Sequence, residues 1–186
     1  MIVLVTGGAR SGKSRFAERY AASIGSRGKY IATAQIYDEE MSQRAEKHRE
    51  RRNSSGFSWR TVEEPYRLGE LLAESDDPIV LVDCLTLWLS NWLLLYADEE
   101  RMEDKVQGKL DELTRTLAAC AGTVILVTNE VGDGIVPEYA LGRQFRDLSG
   151  AMNQAVAAIS DQVFLVTAGI PIELKSKEFK LADGNG

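Results

Sequence analysis

The chain has 186 residues, of which 44% are hydrophobic and 27% are charged, a composition typical of one globular domain with a buried core. Its 22 basic and 28 acidic residues give a net charge of -6, which argues against general binding to a nucleic-acid backbone. The two cysteines, Cys84 and Cys120, are too few for a disulfide framework and are not spaced as metal ligands, so we expect both to be reduced.

Short apolar or β-branched runs alternate with longer helix-like stretches along the chain. The runs are residues 2–6, 29–33, 79–83, 123–128 and 162–167, with a further candidate strand at 59–62. Continuous apolar runs are typical of strands that are covered on both faces. We therefore predict an α/β fold with a mainly parallel sheet and helices on both faces. The first run enters a glycine loop without a basic leader, so we expect no signal peptide and a cytoplasmic location.

The glycine loop that follows the first run matches the pattern G-x-x-x-x-G-K-[ST], and a helical pattern follows it directly. Glycines allow backbone amides to point inward, and the helix N-terminus adds its positive dipole at the same place. In such a loop Lys13 reaches the β- and γ-phosphates and the Ser14 hydroxyl binds Mg²⁺. The predicted triphosphate site comprises Gly7, Gly8, Ala9, Arg10, Ser11, Gly12, Lys13 and Ser14. With this loop, the predicted fold is of the P-loop NTPase type and RecA-like.

The single histidine, His48, lies in a basic segment that ends at Arg52. On a helix, spacings of three and four would place His48 on one face with Arg44, Arg51 and Arg52. A neutral imidazole is a competent nucleophile toward phosphorus near pH 7, and neighbouring cations would stabilise charge on the attacked phosphate. A solvated basic surface, or the arginine-bearing lid of a phosphate kinase, explains the same cluster without a reactive histidine. The residues alone leave these interpretations open.

Asp83 ends the apolar run at residues 79–83, where a P-loop enzyme carries the carboxylate on the magnesium side of the nucleotide. An aspartate at this position also suits the cap of a helix that begins near Leu85. The next stretch, residues 85–96, is apolar nearly all round but shorter than the roughly 18 residues of a membrane span, so we predict no span. Its Trp88 and Trp92 fit a core helix and a subunit interface equally well. Residues 98–118 predict a solvated amphipathic helix.

After Gly169 the alternation of Ile170, Ile172 and Leu174 predicts a C-terminal hairpin. The polar ending predicts a flexible tail over residues 177–186, so we expect a single domain over residues 1–176.

An ordered set of segments over nearly the whole chain resembles the bifunctional adenosylcobinamide kinase/adenosylcobinamide-phosphate guanylyltransferase family of cobalamin biosynthesis. Besides the P-loop and His48, the matching segments are Tyr30-Ile-Ala-Thr-Ala34, Thr61-Val-Glu-Glu-Pro65, Val82-Asp-Cys-Leu-Thr86, Thr128-Asn-Glu-Val-Gly-Asp-Gly-Ile-Val-Pro-Glu138 and Phe145-Arg-Asp147. The P-loop alone occurs in many families, whereas the ordered set is specific. The chain departs from its relatives in the link after Arg52, which is longer and lacks a proline, and in Lys47, which stands where some relatives have a second histidine.

The resemblance implies two reactions. Adenosylcobinamide is phosphorylated by ATP or GTP, and GMP is then transferred from GTP to adenosylcobinamide phosphate with release of pyrophosphate. It implies that His48 carries GMP as a covalent phosphoramidate, that Lys13 assists catalysis, and that Ser14 and Asp83 bind Mg²⁺. It also implies a homo-oligomer, with a trimer as the family's assembly. The further nucleotide contacts that it implies are Ile31, Ala32, Thr33, Arg49, Glu50, Arg51, Arg52, Glu63 and Asp83.

Asn129 and Glu130 follow the run at residues 123–128, and ligands gather at the carboxyl ends of parallel strands. Together with Arg143, Arg146 and Asp147 they are candidates to face the corrinoid or the triphosphate. Turn formation and structural ion pairs explain these five residues equally well.

Two other functions compete with the bifunctional enzyme. A small-molecule kinase without the guanylyltransferase step fits the P-loop and the basic segment. A regulatory GTPase would need an Asn-Lys-x-Asp motif for guanine, whereas Asn129 is followed by Glu130, so this function is disfavoured.

Overall fold

The computed structural model describes residues 1–35, 39, 46, 50, 52 and 56–179. In these ranges the strands are β1 (Ile2–Thr6), β2 (Arg27–Ala32), β3 (Ser58–Glu63), β4 (Ile79–Asp83), β5 (Thr123–Val127), β6 (Gln162–Thr167) and β7 (Ile170–Glu173). The helices are α1 (Lys13–Ile24), α2 (Leu68–Ala73), α3 (Leu85–Leu95), α4 (Met102–Ala119) and α5 (Ala140–Ile159), followed by a 3-10 turn at Lys175–Lys177.

The strands form one sheet in the order β3-β2-β4-β5-β1-β6-β7. Strands β1 to β6 pair in parallel, and β7 pairs antiparallel with β6. Ala168 and Gly169 join the last two strands with φ angles of 52° and 79°, the left-handed conformation that a two-residue hairpin turn favours. The predicted mainly parallel sheet with a C-terminal hairpin is confirmed.

Each face of the sheet packs against helices, because successive residues of a strand point to opposite faces. On one face Val5 and Val127 pack in a core with Ala17 and Ala21 of α1. On the other face Leu4, Val82 and Leu126 share a core with apolar residues of α2, α3, α4 and α5. The predicted covering of both faces is therefore confirmed.

Helix α3 belongs to the second core. Trp88 is 2% exposed, and its indole N–H donates to the backbone carbonyl of Tyr66 at 3.0 Å. The ring of Trp92 contacts the rings of Tyr66 and Tyr96, with centroid distances of 5.1 and 5.5 Å. Both tryptophans are thus occupied within the chain, as expected for a core helix. Among the helices described, none combines the length and apolar character that a membrane span requires. Both cysteines are free thiols, as predicted.

The carboxyl ends of five neighbouring strands lie in one row. Glu63 pairs with Ala32, Ala32 with Asp83, Asp83 with Val127, and Val127 with Val5. Strands lie about 4.8 Å apart, so Asp83 is ~10 Å and Glu63 ~19 Å from β1 along this row. The P-loop follows β1 directly, so the row places Glu63, Asp83 and the P-loop along one edge of the sheet.

Candidate nucleotide site

The P-loop requires glycine at two positions. Gly7 and Gly12 have φ angles of 155° and 97°, which residues other than glycine rarely adopt. A Cβ at Gly7 would lie 2.4 Å from the carbonyl oxygen of Val166, and one at Gly12 would lie 3.3 Å from Cα of Gly169. The backbone of the loop is therefore packed against the β6–β7 hairpin, and side chains at these two positions would displace it.

Backbone hydrogen bonds hold the P-loop from both sides. The amide of Glu130 donates to the carbonyl of Gly7 at 3.1 Å, and the amide of Gly169 donates to the carbonyl of Ser11 at 2.8 Å. Within the loop, the buried Lys13 donates from Nζ to the carbonyl of Gly8 at 3.0 Å. The buried Oγ of Ser11 has no hydrogen-bond partner among the described residues. The backbone of the loop is thus held in place on both flanks, and its lysine lies against the loop itself.

Asp83 is oriented by a tyrosine rather than used as a helix cap. The N-cap residue of α3 is Cys84, without a side-chain capping bond, so the capping role considered for Asp83 is wrong. The hydroxyl of Tyr30 donates to Oδ2 of Asp83 at 2.8 Å. Burial, followed by the charge of Asp83, raises the pKa of Tyr30 well above its ordinary value, against the opposing effect of Arg52. The phenol therefore stays protonated and keeps donating to the carboxylate.

Arg52 reaches the same cluster from the basic segment. Its guanidinium carbon lies 3.7 Å from the centroid of the Tyr30 ring, and the residue is 4% exposed. The face of an aromatic ring attracts a cation at this distance. Glu50 is exposed, and His48, Arg49 and Arg51 lie outside the described residues. The structure therefore brings Arg52, of the predicted basic residues, beside the ring that holds Asp83.

Lys13 and Asp83 both act on the thiol of Cys84. Burial and the carboxylate of Asp83 raise the pKa of Cys84 to about 12, while the ammonium of Lys13 works in the opposite direction. The thiol is protonated at neutral pH, which fits a packing role for Cys84. Both charged groups therefore lie close enough to Cys84 to influence its thiol.

Two of the predicted nucleotide contacts are buried below the site. Ile31 and Thr33 are both completely buried. The hydroxyl of Thr33 donates to the carbonyl of Cys84 at 2.6 Å and accepts from its amide at 2.9 Å. Burial argues against a side-chain contact of either residue with a nucleotide, and Thr33 instead ties the end of β2 to the end of β4. Two further predicted nucleotide contacts at strand ends are more accessible: Ala32 is half-buried and Glu63 is exposed.

The turn after β3 contains a carboxylate that the sequence analysis did not assign. Glu64 accepts hydrogen bonds from the amides of Tyr66 and Arg67 and from the Arg67 guanidinium, at 2.8 to 3.1 Å. Burial raises the pKa of Glu64, but these donors outweigh burial and hold it below the ordinary value. The spacing of Glu64 and Arg67, three residues apart before a helix, is the signal that could have revealed this pair.

Asn91 of α3 fixes this turn to the strand beside it. Its side-chain amide donates to the carbonyl of Thr33 at 2.8 Å and to the carbonyl of Pro65 at 3.0 Å. Asn91 is 3% exposed, so the two carbonyls depend on it rather than on water. The turn that follows Glu63 is therefore held in place from the core. In the sequence, the only sign of this role is a polar asparagine within an apolar helix. Its two hydrogen-bond partners can be identified only from the structure.

The loop after β5 is organised by side-chain hydrogen bonds. The amide of Asn129 donates to the hydroxyl of Thr86 at 2.7 Å, and its carbonyl accepts from the side chain of Asn153 at 3.1 Å. Arg143 donates to the carbonyl of Pro137 at 3.1 Å, and Arg146 donates to the carbonyl of Gly132. These contacts support the structural interpretation of both arginines. Asp147 is exposed.

A glycine loop between a parallel strand and a helix, with a lysine and a serine at the helix start and a carboxylate two strands away, defines a P-loop nucleotide-binding protein. The chain belongs to the family described as cobinamide kinase / cobinamide phosphate guanyltransferase, whose sequence model matches residues 3–174. The predicted class of enzyme, a kinase and transferase of cobalamin biosynthesis, is thereby confirmed.

Curated relatives match over almost their whole length. The bifunctional adenosylcobalamin biosynthesis protein CobU of Escherichia coli is 44% identical over 187 residues, covering 94% of this chain and 100% of the relative. The protein CobP of Pseudomonas aeruginosa, described in the same words, is 45% identical over 176 residues, covering 94% and 97%.

Solved structures give more distant matches. A KaiC-like protein from Pyrococcus horikoshii has a TM-score of 0.45 at 16% identity and covers 88% of this chain and 69% of its own. The RadB recombinase has a TM-score of 0.48 at 18% identity and covers 88% and 73%.

Proposed function

We propose that this chain phosphorylates adenosylcobinamide with ATP or GTP and then transfers GMP from GTP to the resulting adenosylcobinamide phosphate. The observation that carries the proposal is the edge of the sheet on which the P-loop, Asp83 and Glu63 lie in one row, in a member of this family. That row offers contacts for the phosphates at one end and for a base at the other.

Mg²⁺ accompanies the nucleotide in this proposal, and the available donors fit it. The Ser14 hydroxyl and the Asp83 carboxylate are hard oxygen ligands, and Mg²⁺ is held by one or two protein oxygens together with phosphates and water. Among the described residues no three His, Cys, Asp or Glu side chains cluster as a metal site, so an ion here would depend on phosphate oxygens. Bound Mg²⁺ neutralises charge that develops on the phosphates.

In the first reaction the side-chain hydroxyl of adenosylcobinamide attacks the γ-phosphorus. An O–P bond forms, the bond between the γ-phosphorus and its bridging oxygen breaks, the nucleoside diphosphate leaves, and the hydroxyl proton passes to solvent. Lys13 and the amides of the loop, residues 7–14, hold the β- and γ-phosphates in line for this transfer.

In the second reaction His48 is the nucleophile. A ring nitrogen attacks the α-phosphorus of GTP, an N–P bond forms, the α–β anhydride bond breaks, and pyrophosphate leaves. A phosphate oxygen of adenosylcobinamide phosphate then attacks the same phosphorus, and the N–P bond breaks to free the imidazole. His48 is the single histidine of the chain, which supports its assignment as the carrier.

The nucleotide contacts of the proposal extend from the P-loop to the basic segment and β3. We assign Arg49, Glu50, Arg51 and Arg52 to the phosphates and ribose. Arg52 lies over the ring of Tyr30, whose hydroxyl bonds to Asp83, so the end of the basic segment is near the magnesium carboxylate of the proposal. Glu63 suits the N–H edge of guanine, because a carboxylate accepts from two adjacent donors. Ala32, at the end of the strand between Glu63 and Asp83, is assigned to the same nucleotide.

We also propose a homo-oligomer, a trimer, in the cytoplasm. Leu94 and Leu95 of α3, each 52% exposed, offer apolar surface for contact between copies. Two free thiols suit a reducing compartment.

The test incubates purified protein with adenosylcobinamide, Mg²⁺ and either ATP or GTP, and separates the corrinoid products by chromatography. When ATP is supplied, the expected product is adenosylcobinamide phosphate. When GTP is supplied, the expected products are adenosylcobinamide-GDP and pyrophosphate. A reaction that stops at the phosphate in the presence of GTP would support the kinase without guanylyltransferase activity. Absence of any corrinoid product from protein that binds GTP would refute the proposal.

A further inference from the structure

The loop between β5 and α5 exposes three large apolar side chains within five residues. Ile135 is 97% exposed, Val136 is 59% exposed and Tyr139 is 68% exposed. Single exposed apolar residues are ordinary, but a contiguous group commonly marks a place where something binds. We call these three residues the apolar loop surface.

The loop that carries this surface begins at the end of β5, beside the P-loop. Strand β5 lies between β4, which ends at Asp83, and β1, which leads into the P-loop. The amide of Glu130, at the start of the loop, donates to the carbonyl of Gly7 at 3.1 Å. A group that reacts with a phosphate held by the P-loop would therefore have this loop as its neighbour.

Hydrogen bonds fix the loop before any ligand binds. The carboxylate of Glu130 accepts from the amide of Gly132 at 3.0 Å, and Arg146 donates to the carbonyl of Gly132. Arg143 donates to the carbonyl of Glu138 at 2.5 Å. At Gly142 a Cβ would lie 2.7 Å from the ring of Tyr139, so the tyrosine packs directly on the start of α5. A loop ordered in advance loses little conformational entropy when a ligand covers it.

We infer that the apolar loop surface, Ile135, Val136 and Tyr139, binds the corrin macrocycle of the cobinamide acceptor. The inference rests on the proposed function and names the docking surface for its second substrate. A corrin ring presents broad hydrocarbon faces and is too large for a P-loop to enclose, so only its aminopropanol arm reaches the phosphates. Apolar side chains on a fixed loop beside those phosphates match the ring in chemistry and in position.

The hairpin on the other side of the P-loop supplies a matched control. Ile170 is 63% exposed, and the adjacent Gly169 bonds to the carbonyl of Ser11. This flank lies on the β6 side of β1, away from Asp83. It thus presents an exposed isoleucine beside the P-loop on the side away from Asp83.

The experiment measures the Kd of cobinamide by equilibrium dialysis, using corrinoid absorbance, for the unchanged chain, the Ile135→Ser/Val136→Ser double variant and Ile170→Ser. We expect the double variant to raise the Kd about tenfold, which corresponds to ~1.4 kcal/mol. The Ile170→Ser variant should bind cobinamide like the unchanged chain. The Kd for GTP and the molar mass by light scattering are measured on all three proteins.

An equal Kd in the double variant, or the same loss in Ile170→Ser, would overturn the inference. So would a change of molar mass with joint loss of GTP and cobinamide binding, because the surface would then join copies of the chain. The binding measurement needs no turnover. If the double variant binds cobinamide tenfold more weakly but the unchanged chain forms no corrinoid product, the proposed function is refuted and the docking surface stands. If the unchanged chain forms product but the two proteins have equal Kd values, the docking surface is refuted and the proposed function stands.

Discussion

The hydroxyl of Tyr30 donates a 2.8 Å hydrogen bond to Asp83, while the guanidinium of Arg52 lies 3.7 Å from the centre of the same ring. One buried tyrosine therefore joins the carboxylate at the end of β4 to the end of the basic segment that contains His48. In the proposed function, Tyr30 orients a magnesium ligand and anchors a phosphate-binding arginine, without contacting the nucleotide itself.

Replacing Tyr30 by Phe keeps the ring under Arg52 and removes the hydroxyl from Asp83. A hydrogen bond to a charged group contributes about 1.5–3 kcal/mol, so we expect the Mg²⁺ concentration for half-maximal activity to rise about tenfold. Titrating Mg²⁺ at saturating nucleotide checks this. Tyr20→Phe is the control, because the Tyr20 hydroxyl bonds to Gln162. An unchanged Mg²⁺ requirement in Tyr30→Phe would contradict the role of the bond.

The P-loop predicts opposite outcomes for two neighbouring glycines. Gly7→Ala places a Cβ 2.4 Å from the carbonyl oxygen of Val166, so we expect GTP binding to be lost or the melting temperature to fall by several degrees. At Gly8 no atom lies within 4 Å of the added Cβ, and Gly8→Ala should fold and bind GTP. Calorimetry measures the melting temperature of both variants, and titration measures their GTP binding. Equal melting temperatures and equal GTP affinities in the two variants would contradict the close packing of Gly7 against Val166.

Glu64 should give a stability difference that depends on pH. Hydrogen-bond donors hold its pKa below 4.5, so the carboxylate stabilises the fold above that pH and the contribution is lost as the pH falls through the lowered pKa. We expect Glu64→Gln to lower the free energy of unfolding by about 1–2 kcal/mol at pH 7, with the gap closing toward pH 3. Urea unfolding at several pH values measures this.

Glu70 is the control for that series, because its side chain is 59% exposed. Exposed ion pairs contribute little, so Glu70→Gln should change stability by less than about 0.5 kcal/mol at either pH. If Glu64→Gln and the unchanged chain differ in free energy of unfolding by the same amount from pH 7 to pH 3, the hydrogen-bonded carboxylate is not the source of that difference.

Glu63 should determine the preference for guanine. If its carboxylate accepts from the N–H edge of the base, Glu63→Ala should raise the Kd for GTP about tenfold and leave the Kd for ATP nearly unchanged. Parallel titrations with the two nucleotides measure the preference. Equal loss of affinity for both would assign Glu63 to a contact outside the base, and no loss would remove it from the site.

Much of the fold followed from local patterns. Residues 2–6, 79–83 and 162–167 are strands at the predicted positions, because buried parallel strands are continuous apolar runs. The P-loop was predictable because its glycines meet a backbone requirement that is visible in sequence. Asp83 was placed at a strand end, but excluding its capping role needed the structure, in which Cys84 is the N-cap residue. Its role as a Mg²⁺ ligand stays a prediction.

The remaining features depend on residues that only the sheet brings together. Tyr30 and Asp83 are 53 positions apart, and Asn91 reaches carbonyls 58 and 26 positions away. No periodicity in the sequence records such pairs. Ile31 and Thr33 were predicted as nucleotide contacts through the resemblance, and their complete burial became visible only when β2 was placed between β3 and β4. His48 remains a prediction from the sequence.

The central claim, a histidine that carries GMP, is tested most directly with GTP labelled at the α-phosphate. Protein is incubated with labelled GTP and Mg²⁺, denatured, and assayed for protein-bound label that is labile in acid and stable in alkali. We predict label on the unchanged chain and on Ile170→Ser, and none on His48→Ala, provided that His48→Ala still binds GTP. Full labelling of His48→Ala, or no label on an unchanged chain that binds GTP, would contradict the account.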